Sequence, residues 1–121
     1  MTKNFNIQEF NCKCGCEMPP EVLVNIKELA ENLQVVRDML DEPIQINSGY
    51  RCEAHNKAIG GVKHSQHVKG NAADIVVKNI RPEKVVVALD RMQDAGFIKK
   101  GGIGAYATFT HIDIRGYEAK W

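Results

Sequence analysis

No stretch of the 121-residue sequence approaches the roughly 18 uninterrupted apolar positions that a membrane-spanning helix needs, so membrane insertion is not expected. An excess of one charge is also missing. Sixteen basic against fifteen acidic residues leave a formal net charge of +1, and the lysines are scattered, which gives no electrostatic footprint for nucleic acid. The opening MTKNFNIQEF holds no apolar segment of secretory type, so the expectation is accumulation in the cytoplasm without a signal peptide, any external target being reached after release, for instance by lysis. Repeats, linkers and low-complexity tracts are absent as well. The length suits one domain with one core, spanning residues 1–121, and a monomer is the expectation.

Cysteine is sparse but concentrated. Cys12, Cys14 and Cys16 form CKCGC, and Cys52 stands in SGYRC. The alternating spacing matches neither a CxxC redox pair nor an ordinary zinc knuckle. Free structural thiols, a four-thiolate structural zinc with Cys52, and a disulfide all remain open.

Apolar residues Leu23, Ile26, Leu29 or Ala30, Leu33, Val36 and Leu40 recur at helical spacing after a proline pair, which predicts a long amphipathic helix. EPIQINSGY reads as a short strand that delivers SGYR to one end of a sheet. A short helix fits between Cys52 and the Gly60-Gly61 breaker, and NAADIVVK reads as a core strand carrying Asp74. RPEKVVVALDRMQDAG is a second main helix with Pro82 in its first turn and Val85, Val86, Leu89 and Met92 or Gln93 on one face. The C-terminal GGIGAYATFTHIDIRG suggests two short strands. An α+β single domain, with an antiparallel sheet flanked by two main helices, is the economical reading.

Chemistry concentrates in HSQHVKGNAAD, His64 to Asp74, and in THIDIR, Thr110 to Arg115. His111 and Asp113 are two apart on a strand and share a face, while Ile112 and Ile114 take the other. Gly70 permits the chain to fold back, so that His67, Asp74 and His111 can converge. Two imidazoles and a carboxylate leave the fourth position of tetrahedral zinc open, the pattern of catalytic rather than structural sites. The plainer alternative for each residue is a hydrogen-bonded histidine or a turn aspartate. The glycines of GGIGAY follow a helix rather than joining a strand to a helix, which argues against a phosphate loop.

SQHVKGNAAD has the form S-x-H-x-x-G-x-A-x-D, five fixed residues that chance would supply at a given position about once in a few million. Together with SGYR upstream and HID near the C-terminus, it resembles the zinc D-alanyl-D-alanine carboxypeptidases and phage murein endopeptidases, which share a fold with the hedgehog signalling domain. The resemblance runs from about Phe5 to the C-terminal tail. It implies Zn2+ held by His67, Asp74 and His111, Arg51 directed at the substrate carbonyl or developing oxyanion, and Ser65 lining the substrate site. A structural salt bridge is the alternative for Arg51, and a loop-capping hydroxyl for Ser65. Tyr106, with Tyr50 and Phe109, is a candidate to line a peptide groove, core packing being the alternative.

The pattern departs from the family at one position. Better-known members place an acidic residue three before the last histidine ligand, where this chain has Thr108, which cannot act as a general base at neutral pH. Asp113 is then either the base or the group that orients His111, with His64, His55 and Tyr106 as further candidates for the base. The implied activity is hydrolysis of amide bonds in peptidoglycan stem or crosslink peptides, D,D-carboxypeptidase or L-alanyl-D-glutamate type, in an endolysin-like phage or prophage setting. The alternative is a zinc-containing module of the same fold that binds wall peptides or a protein partner without turnover.

Overall fold

A computed structural model describes residues 1–121. A 3₁₀ turn at Ile7–Phe10 leads into α1 (Pro20–Leu40), β1 (Ile44–Ser48), α2 (Glu53–Ala58), β2 (Ala72–Val77), α3 (Pro82–Asp94), β3 (Gly102–Ala105), β4 (Thr110–Asp113) and β5 (Ala119–Lys120). The sheet order is β1-β2-β4-β3-β5.

The periodic apolar residues build both main helices. Proline in the first turn of α1 and of α3 costs no hydrogen bond, because the first helical N–H groups have no partner within the helix. The stripe of α1 is buried at Val22, Ile26, Leu29, Ala30, Leu33 and Val36. The expected Leu23 and Leu40 are only half-buried at its margins. Asp41 ends α1 in the left-handed conformation, φ 52°, its N–H bonded to the Arg37 carbonyl, and Pro43 prevents continuation. In α3 the buried face is Val85, Leu89, Met92 and Gln93, with Val86 half-buried. This face packs on β2, β3 and β4.

The four main strands pair antiparallel, as the sequence predicts. The sheet is nonetheless mixed, because the two-residue β5 adds in parallel to β3 at the edge. So short a segment leaves no alternation to read, and it is fixed by partners such as the Trp121 N–H to Ile103 carbonyl bond. No helix is long and apolar enough to cross a membrane.

Two local irregularities position the site. The β1–β2 register shifts between Ile46 and Ser48, which sets Ser48 opposite Asp74 where the SGYR turn begins. Gly70, at φ +78°, turns the chain back into β2, and a Cβ there would press within 2.8 Å of Val22.

Candidate metal centre and substrate cleft

β2 and β4 are central neighbours, and their register places Asp74 opposite His111. The Ser65–Gly70 turns lower His67 onto the same spot, with bonds from Val68 N–H to Ser65 carbonyl and from Gly70 N–H to His67 carbonyl. His67, Asp74 and His111 are all buried, and one donor atom from each lies within 4.8 Å of the others. Asp74 Oδ1 is 3.3 Å from His67 Nε2 and 3.3 Å from His111 Nδ1. The predicted triad is therefore assembled by the fold.

Each imidazole is held by its other nitrogen. His67 Nδ1 lies 2.8 Å from the Gly49 carbonyl, which can only accept, so Nδ1 carries the proton and Nε2 presents its lone pair to the centre. His111 Nε2 lies 2.7 Å from Asp113 Oδ2, which leaves Nδ1 turned toward Asp74. Fixing the tautomer and ring direction through the outer nitrogen is how proteins prepare histidine for a metal. Two neutral imidazoles and a carboxylate, all buried and preset, fit Zn2+ with a fourth position left to solvent or substrate.

Asp113 sits behind this arrangement. Its side chain is fully buried. Oδ1 accepts from Gly102 N–H at 2.7 Å and Arg115 Nε at 2.9 Å, while Oδ2 takes Arg115 Nη2 and His111 at 2.7 Å each. Both oxygens are engaged on the side of His111 away from Asp74.

Arg51 is bonded through each of its three guanidinium nitrogens. Nη2 donates to Asp74 Oδ2 at 3.2 Å, Nε to Ser48 Oγ at 3.1 Å and Nη1 to Asn56 Oδ1 at 3.3 Å. Arg51, Ser65, Tyr106 and the triad all line one open cleft of about 480 Å³. Ser65 Oγ accepts the His67 N–H at 3.1 Å, so the loop-capping role is present together with the cleft position. Tyr106 is exposed, stacks on Phe109 with centroids 4.5 Å apart, and accepts a hydrogen bond from Trp121 Nε1 at 2.9 Å. Tyr50 is buried in the core and is not part of the cleft lining. Thr108 is exposed in the β3–β4 turn and is not in the lining either, whereas His64 is.

Several contributors escape sequence reasoning. Arg115 extends the period-two polar face of His111 and Asp113, a signal visible in THIDIR. Trp121 packs its indole 4.8 Å from the His111 ring, and the Gly49 carbonyl holds His67. Neither has a local sequence signature, since one contact comes from an edge strand and the other from backbone.

Burial opposes charge on Asp74, but hydrogen bonds with His111 and His67 outweigh it and hold the carboxyl well below the usual carboxylate range. Burial likewise opposes charge on Asp113, yet His111, Arg115 and the Gly102 N–H keep it low. For His111, burial works against the imidazolium, while Asp113 and Asp74 hold its pKa above the ordinary value. In metal-free protein the two carboxylates contribute full stability above their unfolded value of about 4 and lose it as pH falls through their lower folded values. The raised His111 contributes fully below its unfolded value of about 6.5 and loses this as pH rises through its folded value. These contributions coincide between about pH 4 and 6.5, where the site should stabilise metal-free protein most. Zinc affinity should instead rise with pH as the proton leaves His111, and thermal unfolding with and without chelator across pH checks both trends.

A family model described as Peptidase M15 matches residues 2–113, a span that takes in Arg51, Asp113 and the three candidate ligands. A zinc D-Ala-D-Ala carboxypeptidase of Streptomyces albus G is 41% identical over 44 residues, 36% of this chain. The match spans 17% of that relative's length. With the family model covering almost the whole sequence and the preset triad on the page, the chain belongs to the Peptidase M15 family.

Proposed function

We propose that the protein is a zinc-dependent peptidase that hydrolyses amide bonds in peptidoglycan stem or crosslink peptides. The observation that carries this reading is the buried, outwardly anchored His67-Asp74-His111 set at the base of an open cleft beside Arg51. The relative's name supports the substrate class, and the resemblance of the motifs supports an endolysin-like setting.

His67, Asp74 and His111 would hold the zinc ion, which when bound would supply Lewis-acid polarisation of an amide carbonyl and acidification of water. The remaining work falls to the chain. Arg51 has two N–H groups beyond its three bonds, and from the cleft wall they can donate to the oxygen on which charge develops. Ser65, with its oxygen taken by the His67 N–H, retains an O–H for a substrate carbonyl. Tyr106 and Trp121 form an aromatic rim suited to the apolar part of a short peptide.

Asp113 is assigned the orienting role rather than the base, because its oxygens are buried and bonded behind His111. The proton acceptor is then His64, a cleft-lining imidazole, the side-chain type most often used in general acid–base catalysis. His64→Ala should lower kcat on a D-Ala-D-Ala-terminated stem peptide about 100-fold with zinc content unchanged. Unchanged kcat would remove His64 from this role.

One observation favours the second reading, a non-catalytic wall-peptide module: the only carboxylate lining the cleft, Asp74, is already engaged by Arg51, His67 and His111, and Thr108 stands where the resemblance implies an acidic residue. Incubating the zinc-loaded protein with stem peptides separates the two. New amino groups released over time support the peptidase, whereas saturable binding without release supports the module.

A further inference from the structure

The four cysteines form a second convergence of donor atoms, apart from the cleft triad. Their sulfurs all lie within 4.8 Å of one another. Cys12 and Cys14 Sγ are 3.2 Å apart, Cys14 and Cys52 3.4 Å, and Cys12 and Cys52 3.9 Å. Zinc bound tetrahedrally at about 2.3 Å per sulfur sets its ligands about 3.8 Å apart, so these separations need only small adjustment. A disulfide needs about 2.05 Å, and all four thiols are free.

The CKCGC spacing is explained by a turn. Gly15 adopts φ +85°, a conformation that suits glycine, and its N–H bonds to the Cys12 carbonyl at 3.0 Å. The tight turn brings alternate cysteines toward one point, where Cys52 meets them from the start of α2. Two backbone donors already face the sulfurs: Cys52 N–H to Cys12 Sγ at 3.5 Å and His55 N–H to Cys52 Sγ at 3.4 Å. Such N–H to sulfur bonds stabilise thiolate ligands.

We propose that Cys12, Cys14, Cys16 and Cys52 hold a second, structural zinc ion. Four protein sulfurs complete the tetrahedron and leave no position for substrate, so this ion is a staple rather than a reaction centre. It ties the N-terminal segment to the turn of residues 49–52. That turn supplies the Gly49 carbonyl on His67 and the Arg51 guanidinium on Asp74, and its Tyr50 N–H is bonded to the Phe10 carbonyl at 2.8 Å. The staple thus braces the wall of the cleft from behind.

The test is metal content by plasma mass spectrometry of protein made in zinc-supplemented medium and purified under reducing conditions without chelator. About two zinc ions per chain are expected in the wild type, and about one in either Cys14→Ser/Cys16→Ser or His67→Ala. Cobalt substitution gives an independent reading that does not depend on folding of the cysteine variant. Thiolate-to-cobalt charge-transfer absorption is expected in the wild type and in His67→Ala. Its absence from both, a wild type with one zinc that His67→Ala removes, or an intact mass lowered by the hydrogens lost to a disulfide would each overturn the proposal.

Discussion

Asp113→Asn is expected to weaken zinc binding about 10- to 100-fold and to destabilise the protein together. The wild-type carboxylate fixes His111 through Nε2 and neutralises Arg115 through two bonds at 2.9 and 2.7 Å. Asparagine can still accept the Gly102 N–H, but its amide carries no charge and one of its two ends becomes a donor. That end would face Arg115 or His111, each of which already donates there. Loss of one partner from a buried ion pair costs about 3 kcal/mol, a fall of roughly 10 °C in Tm for a chain of this size. Competition with a chromophoric chelator and thermal unfolding of the metal-free protein read the two effects separately. If Asp113 were the general base, kcat would collapse while zinc affinity and metal-free Tm stayed near wild type.

The second large effect is expected at Arg51. Arg51→Lys should lower kcat about 100- to 1000-fold with zinc still bound. The guanidinium reaches Ser48, Asn56 and Asp74 from three different nitrogens. A single ammonium cannot span those partners and also present a donor to the cleft. Lysine does keep a positive charge beside Asp74 Oδ2. If Arg51 serves only as a salt bridge, Arg51→Lys should therefore keep kcat within a few-fold and show a change in stability alone. Steady-state kinetics on one stem peptide, with metal content measured on the same preparations, distinguish these outcomes.

Much of the site was legible because its chemistry follows periodicity. Alternation on a four-residue strand put His111 and Asp113 on one face, and Gly70 marked the turn that returns His67 to Asp74. Both main helices followed from apolar spacing and proline starts. What stayed hidden depends on contacts between distant segments. The 3₁₀ turn at Ile7–Phe10 and the parallel strand β5 are too short for any period to register. The role of Asp113 could not be read from its position, because strand spacing fixes the face of a side chain and not which of its oxygens are taken. The cysteine spacing leaves free thiols, a four-thiolate zinc and a disulfide open, because it does not show the backbone turn at Gly15, φ +85°, that draws the alternate cysteines together.

The most direct test of the central claim is mass spectrometry of purified peptidoglycan after incubation with zinc-loaded protein, beside a His67→Ala control. New peptide fragments that are absent from the control are expected, and their termini identify the bond that is cut. Intact peptidoglycan across pH, from protein shown to be folded and carrying zinc at His67, Asp74 and His111, would contradict a peptidase and leave the binding module.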